Sequence, residues 1–513
     1  MKRNLKNSCI VLLGFLLACN LLSCNNIFIL KKSTQVSFNL DIQGLQAAQQ
    51  KQSGALNNRA AGGDVSQVII SLYQATDPAS ISENQQLDTS KLKLLESITP
   101  PVTSDGKVHA TFNEVTVGIT AVIFVEIYET DPADASQNLA YKGNSSIFTV
   151  QEGENTVEIE LKKIISTLEK LTNILTTTTG EPIYIAGNFD ISATLNITTP
   201  TTLIAVAPTT FTRTKDCTNA LFTYNADFTL QGSSNAIITI NGNNIEAVAP
   251  AIKTQSNTTS ANLTVTYCNF ENNTNTYSDG GAIFVETSAT VIFSASNCNF
   301  TNNKVTGSSM AGGAVAINAA NSTSTFDTCN FRTNTADQQG GGAVYIYANS
   351  SAYSEQWHNF INCEFANNSS NASSQTGNYG GAIYFARGSF SLNNITMNNN
   401  IWTQDNSNSD ICADTNAVNL KLDGTVQINS LLVKSVPKNL AIADSFDTSS
   451  SINVSINASS PSSIFNVVTY DSIGVSQTTT TLTPEQIACF APIVDSSGKQ
   501  YTLNSDGTIT AKN

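Results

Sequence analysis

The sequence is poor in the residues on which most catalytic and metal sites depend. Among its 513 residues there are only two His and two Trp, and Asp, Glu, Lys and Arg together account for 12%. No two cysteines have the Cys-x-x-Cys spacing, and neither His lies at a ligand-like spacing from another candidate, which argues against a zinc site. We therefore expect no metal, no cofactor and no catalytic residue.

Clustered positive charge is missing as well. The net charge is −14, and beyond the first six residues only isolated pairs such as Lys31-Lys32 and Lys162-Lys163 occur. A surface that binds nucleic acid needs a basic face, so we do not expect nucleic acid as a partner. The acidic excess favours solubility.

No apolar run is long enough to cross a bilayer as a helix. A basic start, Lys2, Arg3 and Lys6, precedes the short apolar stretch 10–18, which is the pattern of an export signal. Leu21-Leu22-Ser23-Cys24 follows and resembles the bacterial lipoprotein cleavage motif.

That resemblance implies that the Cys24 thiol receives a diacylglycerol and that the mature chain begins there. Leu16-Leu17-Ala18-Cys19 fits the same pattern. We favour Cys24, because cleavage at Cys19 would leave a spare thiol. An ordinary secretory signal is the alternative. We expect a signal peptide over 1–23, a tether over 24–33, membrane attachment through the lipid, and a location in the cell envelope as an outer-membrane lipoprotein, with periplasmic or surface exposure left open.

A short phrase recurs in the middle of the chain, with Cys-to-Cys steps of 30, 31 and 34 residues. Each copy has a Cys, a Phe two residues later and an Asn three residues after the Phe. A fixed period of this size is typical of a solenoid. The copies are Cys268, Phe270 and Asn273; Cys298, Phe300 and Asn303; Cys329, Phe331 and Asn334; and Cys363, Phe365 and Asn368.

A second phrase, Gly-Gly-Ala followed by Ile or Val, alternates with the first. It begins at Gly280, Gly312, Gly341 and Gly380, and the residues after it alternate with period two, as in a strand with one buried face. Stacked parallel strands place like residues on like, so Phe and Cys should form interior ladders. The Gly pairs suit a corner with positive φ or a close backbone approach, and the stacked Asn suit a turn with left-handed φ. The pattern predicts an all-β, right-handed parallel β-helix.

These alternating phrases resemble the repeats of chlamydial polymorphic outer-membrane proteins and, more broadly, the pectate-lyase-like β-helix repeats of bacterial surface proteins. The resemblance covers residues 262–400. It implies a surface-exposed β-helix with an adhesive role.

Domains flank the repeats on both sides. Residues 34–162 contain several short alternating strands typical of an immunoglobulin- or transthyretin-like β-sandwich, with a loop over 54–64. A capping box that starts at Ser166 predicts a helix over 166–175 that caps a β-helix spanning 163–482. Residues 483–513, with Pro484 and Pro492, are expected to form a C-terminal cap.

The cysteines outside the signal region allow two arrangements. Stacked neighbours could form disulfides, Cys268–Cys298 or Cys329–Cys363, in an oxidising compartment. The alternative is an interior ladder of free thiols, which we favour. These seven cysteines are Cys217, Cys268, Cys298, Cys329, Cys363, Cys412 and Cys489.

The aromatic residues in the variable place of the Gly-Gly-Ala strands are the candidate ligand-binding residues. Phe284, Tyr345 and Tyr384 occupy that place, and Tyr347 follows on the same parity. If the constant aliphatic residues point inward, these point outward, where they could stack on a glycan or meet a host protein. The alternative is that the long loops cover them; the loops around Ser278, 307–310 and 369–378 are the other candidate surface.

The function that these patterns favour is a lipid-anchored, non-catalytic envelope protein that presents a β-helix for adhesion or surface binding. A structural envelope protein without a specific ligand is the first alternative. A polysaccharide-degrading β-helix enzyme is the second, but it would need paired carboxylates on adjacent coils. The acids of the repeated region are scattered.

Overall fold

The computed structural model describes residues 24–30, 35–41, 65–76, 91–103, 107–113, 115–130, 137–151, 155–176, 180–255, 258, 260–308, 310–348, 356–371, 380–403, 407–434, 438–457, 462–470 and 477–512. The expected signal peptide with Cys19, and the loop 54–64, lie outside these ranges. The chain divides into two compact units, whose main boundary lies between Lys162 and Lys163.

The strands of the first unit are β1 Cys24–Leu30, β2 Gln35–Asp41, β3 Val65–Ala75, β4 Leu92–Ile98, β5 Lys107–Asn113, β6 Thr120–Thr130, β7 Gln137–Ser145, β8 Phe148–Thr149 and β9 Asn155–Ile165. They pair antiparallel, β3 with β4 and β6, β6 with β8, β2 with β5, and β1 with β9. Residues 24–30, expected as part of a tether, are thus strand β1. Val68, Ile70 and Leu72 of β3 are fully buried, as the alternating pattern requires. The immunoglobulin- or transthyretin-like class of this unit stays a prediction.

The second unit begins with helix α1 Leu168–Leu175 and continues as strands. The strands up to the end of the repeats are β10 Ile183–Ile191, β11 Leu195–Ile197, β12 Thr201–Arg213, β13 Phe222–Tyr224, β14 Phe228–Gln231, β15 Ile238–Asn241, β16 Glu246–Ala247, β17 Ile252–Thr254, β18 Leu263–Thr266, β19 Cys268–Glu271, β20 Thr274–Asn275, β21 Ile283–Ser296, β22 Asn299–Thr301, β23 Lys304–Val305, β24 Val315–Asp327, β25 Asn330–Arg332, β26 Thr335–Ala336, β27 Val344–Ala348, β28 Trp357–Ile361, β29 Glu364–Ala366, β30 Ser369–Ser370, β31 Ile383–Asn398 and β32 Ile401–Trp402. The remaining elements are β33 Ser407–Asn408, β34 Ile411–Lys434, β35 Lys438–Ile442, β36 Ser451–Asn457, β37 Phe465–Tyr470, β38 Gln477–Thr479, α2 Pro484–Ala488, β39 Ile493–Asp495, β40 Gln500–Leu503 and β41 Ile509–Ala511.

These strands form a parallel β-solenoid of about 8 turns, which confirms the predicted all-β, β-helical class. Strands one coil apart pair in register, so that Phe270 lies on Phe300, Phe300 on Phe331 and Phe331 on Phe365. The rings of these four Phe stack nearly parallel, with centroids 4.6–4.9 Å apart. The predicted Phe ladder is therefore an interior stack, and Met397 continues it on the next coil.

Backbone geometry requires glycine at both positions of each Gly-Gly-Ala phrase. The first, at Gly280, Gly312, Gly341 and Gly380, has φ between +67° and +73°, a region that side chains disfavour. The second lies so close to the next coil that any Cβ would clash with its backbone, as Gly313 would with the Gly342 carbonyl oxygen. Both explanations that the sequence suggested apply: positive φ holds for the first glycine, and a close backbone approach holds for both.

The recurring asparagines form a buried amide ladder. Asn334 illustrates the pattern: its Nδ2 donates to Asn368 Oδ1 at 2.9 Å and to the Phe300 carbonyl oxygen at 2.9 Å. Its Oδ1 accepts from the Nδ2 and from the backbone N–H of Asn303, both at 3.0 Å. All four hydrogen-bonding positions of the amide are used. Asn273, Asn303, Asn334, Asn368 and Asn400 are all 0% exposed.

The predicted left-handed φ does not occur at these asparagines. It lies one residue earlier, at Asn272, Asn302, Thr333, Asn367 and Asn399, with φ between 52° and 58°. The chain turns at that residue, and the turn directs the following Asn side chain into the interior. The expectation that the ladder Asn themselves tolerate left-handed φ was therefore wrong by one position.

Two helices lie at the ends of the solenoid core. Helix α1 buries Leu171 and Leu175, and its N-cap is Thr167, whose hydroxyl accepts from the Lys170 N–H at 3.4 Å. The N-cap is thus one residue later than the predicted Ser166, and the predicted capping box is not formed, because the third residue after Thr167 is Lys170, which has no acceptor. Helix α2 begins with a capping box between Thr483 and Gln486. Beyond it, β39 pairs parallel with β36, while β40 and β41 add antiparallel strands.

We predict that the substitution Asn334→Ala lowers the free energy of unfolding by about 3 kcal/mol, because it leaves buried donors and acceptors on two neighbouring coils without partners. Asn330→Ala is the matched control. Asn330 donates to Asn299 Oδ1 in a half-buried outer ladder, where water can replace the lost bond, so the cost should stay below about 1 kcal/mol. Chemical denaturation of both variants measures the difference, and equal losses would contradict the interior role of the ladder.

Candidate functional site

Three of the candidate aromatic residues, Phe284, Tyr345 and Tyr384, lie in one row just outside the central core of the solenoid. Successive coils place Lys253, Phe284, Ala316, Tyr345, Tyr384 and Cys412 at equivalent positions. The preceding residue on each strand, such as Ile283 or Ile383, belongs to the central core, whereas Tyr384 and Cys412 form a separate buried cluster with Ala386. We call the six residues the outer row.

The outer row is far less exposed than expected. Phe284 is 3% and Tyr384 7% exposed, while Tyr345 and Tyr347 are half-buried. The expected row of exposed aromatic rings was therefore wrong for Phe284 and Tyr384. The corner segments lie against the next coil: a Cβ on Gly312, for example, would be 3.1 Å from the Tyr345 Cβ.

Charged side chains flank the covered aromatic rings. Lys253 Nζ lies 5.3 Å from the centre of the Phe284 ring and 3.4 Å from Glu286 Oε2. Asp279, on the corner before Gly280, accepts a hydrogen bond from the Ala311 N–H at 2.8 Å. Burial raises the pKa of the Asp279 carboxyl to about 6. Burial, and then the negative charge of Asp279, raise the pKa of the Tyr345 hydroxyl.

A second, more accessible row runs beside the first. It contains Glu286, Asn318, Tyr347 and Arg387 in register. The Arg387 guanidinium lies 4.8 Å from the centre of the Tyr347 ring, a cation–π arrangement that holds both side chains in place. Because all four residues are at least partly exposed, this second row is the part of the candidate site that a partner can reach.

At its C-terminal end the outer row meets a cluster of ionisable side chains that the sequence analysis missed. The Tyr384 hydroxyl donates to Asp414 Oδ2, and Lys438 Nζ donates to the Asp414 carbonyl oxygen at 2.7 Å. Lys434 Nζ lies 4.0 Å from Asp414 Oδ1. Extending the strand parity from Cys412 would have pointed to Asp414. The lysines lie on later parts of the coil, and no local pattern connects them to this cluster.

Burial dominates the acid–base properties of this cluster. It raises the pKa of the Cys412 thiol to about 12 and lowers the pKa of the Lys438 ammonium to about 8. Burial, followed by the hydrogen bond to Asp414, also raises the pKa of the Tyr384 hydroxyl. Burial thus disfavours the charged form of each of these three groups, the Cys412 thiolate, the Lys438 ammonium and the Tyr384 phenolate.

The cysteines are free and buried at all seven described positions. The disulfides Cys268–Cys298 and Cys329–Cys363 are not formed, and the four ladder thiols instead donate to carbonyl oxygens, as Cys298 does to Val265 at 3.5 Å. Burial raises the pKa values of the Cys298 and Cys363 thiols well above their usual range. The ladder is thus the interior thiol arrangement that we favoured.

Within the described ranges, no group of three or more His, Cys, Asp and Glu is arranged to hold a metal ion. His358 is fully buried and shares a 2.9 Å hydrogen bond with Ser324, and burial lowers its pKa to about 3. It is therefore neutral at physiological pH. In the part of the chain that the structure covers, no helix is both long and apolar enough to span a bilayer.

We predict that Asp279→Asn stabilises the protein by about 2 kcal/mol at pH 7.5 but by less than half of that at pH 4.5. A raised folded-state pKa means that the folded chain holds a proton that the unfolded chain has released, so stability falls as the pH rises from about 4 through 6. Asn retains an acceptor for the Ala311 N–H without the charge. Denaturation at both pH values tests this, and the same difference at both would contradict it.

Comparisons with family models, with curated proteins and with solved structures find no match to this chain. The resemblance to surface-protein repeats therefore depends on the repeated residues themselves. The features that bear on function are the outer row, the second row, the cluster at Asp414 and the export motif.

Proposed function

We propose that this protein is a lipid-anchored component of the cell envelope and that its β-helix binds a surface glycan or a host protein without catalysing a reaction. The observation that carries the proposal is the second row of partly exposed side chains. It presents Tyr347 and Arg387, stacked on each other, to the outside. Tyr and Arg are enriched at binding hot spots, because the aromatic ring buries a large area with few rotatable bonds and the guanidinium offers five hydrogen-bond donors in a fixed geometry.

The interior supports the same proposal, because the residues of the repeated phrase are buried there and cannot contact a partner. Phe, Cys and Asn of the repeated phrase are all buried in ladders. The repeats therefore build the scaffold, and recognition belongs to residues that differ from coil to coil. Glu286, Asn318, Tyr347 and Arg387 are such residues, since they stand in register yet differ in charge and size.

A structural envelope protein without a specific ligand is the second candidate. The burial of Phe284 and Tyr384 favours it, because covered rings cannot contact a partner directly. The two candidates make opposite predictions for substitutions in the second row.

For the anchor, we expect labelled palmitate to be incorporated when the full-length chain is expressed in a Gram-negative host. Cys24→Ser should abolish the labelling, because the thiol is the acyl acceptor, whereas Cys19→Ser should leave it unchanged. Labelling that is lost only in Cys19→Ser would move the anchor to that residue. Absence of labelling in the unaltered chain would remove the anchor from the proposal.

For the binding surface, we expect Tyr347→Ala to weaken binding to host cells or to a glycan array by about tenfold, since loss of one contacting ring costs about 1–2 kcal/mol. Tyr184→Ala is the matched control, because Tyr184 is half-buried like Tyr347 but lies on β10, outside both rows and the candidate loops. Equal binding by both variants and the parent, with unchanged thermal stability, would favour the structural role.

A further inference from the structure

The strand β34 brings its two ends together across one coil of the solenoid. Asp414 stands near its start and Lys434 is its last residue, 20 positions later (434 − 414). Lys434 Nζ is nevertheless only 4.0 Å from Asp414 Oδ1, and the two side chains are 9% and 20% exposed. An amine and a carboxyl group are thus held side by side, largely out of water.

The surroundings of this pair are apolar apart from a few directed contacts. Cys412 is fully buried beneath it, and Leu432 packs against the same cluster. Lys434 Nζ also lies 5.9 Å from the centre of the Tyr384 ring. At this separation a proton can pass from Nζ to the carboxyl group, and the amine that remains is a nucleophile.

One hydrogen bond holds the carboxyl group of Asp414, and a second holds its backbone. The Tyr384 hydroxyl donates to Asp414 Oδ2, and Lys438 Nζ donates to the Asp414 carbonyl oxygen at 2.7 Å. A donor on one carboxyl oxygen polarises the carbon and stabilises negative charge that develops there during attack. Oδ1, on the side of Lys434, is then the oxygen that can leave.

From this geometry we propose that Lys434 and Asp414 become joined by an intramolecular isopeptide bond. The Lys434 Nζ lone pair attacks Asp414 Cγ, and a C–N bond forms while Tyr384 hydrogen-bonds to the oxyanion. Two Nζ protons in all pass to Oδ1, one before the attack and one after it, the C–O bond breaks, and Oδ1 leaves as water with those two hydrogens. The product is a secondary amide. No oxidant, metal or cofactor takes part.

The bond would close a covalent ring around one coil near the C-terminal end of the solenoid. The seven described cysteines are free, so no disulfide among them provides such a link. A cross-link that closes a loop stabilises a fold mainly by restricting the unfolded chain. The proposal is independent of whether the protein binds a partner, because its evidence and its test concern only these two side chains.

Peptide mapping of the purified full-length protein tests the proposal. Trypsin should cleave after Lys421 and Lys434 in an unlinked chain and release separate peptides 388–421 and 422–434. An isopeptide bond blocks cleavage at Lys434. We expect instead a single branched species, 388–421 joined to 422–438, lighter than the sum of its parts by one water. Fragmentation should place the join at Asp414 and Lys434.

Four variants make the test specific. Lys434→Arg and Asp414→Ala should each abolish the branched species, Lys438→Arg should retain it, and Tyr384→Phe should lower its yield. Loss of water at Asp423-Gly424 by succinimide formation would persist in Asp414→Ala and would not join two peptides. Complete cleavage at Lys434 in the folded parent protein, or a branched species that depends on Lys438 instead, would overturn the proposal.

Discussion

The amide ladder is the interaction on which the solenoid depends most. A buried amide costs several kcal/mol unless its donors and acceptors are satisfied, and each interior member of this ladder is satisfied only by the coil before it and the coil after it. A shift of one residue in the stacking would leave every one of these groups unpaired. The ladder therefore determines the register, and the Phe and Cys stacks follow from it because they stand at fixed distances along the same coils.

The ladder also has a direction and two distinct ends. Every Nδ2 points toward the next coil, and the last one, on Asn400, donates to Asp410 Oδ1 at 2.8 Å. Asp410 Oδ2 accepts from the backbone N–H groups of Asn429 and Ser430. Aligned amide dipoles polarise one another, and a carboxyl group at their donor end accepts the last of the series. At the other end Asn273 Oδ1 has no partner within the described chain.

The repeats were readable from the sequence because their causes are local. The Gly pairs, the Phe stack and the outward parity of Tyr345 and Tyr384 each follow from a spacing of a few residues. The side chains that lie over Phe284 and Tyr384 come from other coils, Lys253 over Phe284 and Lys434 over Tyr384, and no local spacing encodes those contacts. The meeting of Asp414 with Lys434 and Lys438 depends in the same way on closure of a whole coil. The left-handed residue was misplaced by one because Asn occurs both at the turn and in the ladder.

The contrast between features set by local spacing and contacts made between coils explains why the candidate site was only partly predicted. The positions that recur most regularly are scaffold, and the positions that carry chemistry are the irregular ones. Tyr347 was identified by parity, but its stacking partner Arg387 was not, because a shift in strand register between Ile346 and Tyr347 brings Arg387 opposite Tyr347. Function on this fold should be sought where side chains differ between neighbouring coils.

Hydrogen exchange at the ladder positions tests this account most directly. The backbone N–H groups of Asn303, Asn334 and Asn368 donate to the side-chain oxygen of the next ladder residue. If the ladder holds the coils together, these three amides exchange slowly, at one common rate, and only through unfolding of the repeated coils as a unit. Fast exchange at these positions while the neighbouring strands remain protected would contradict the account.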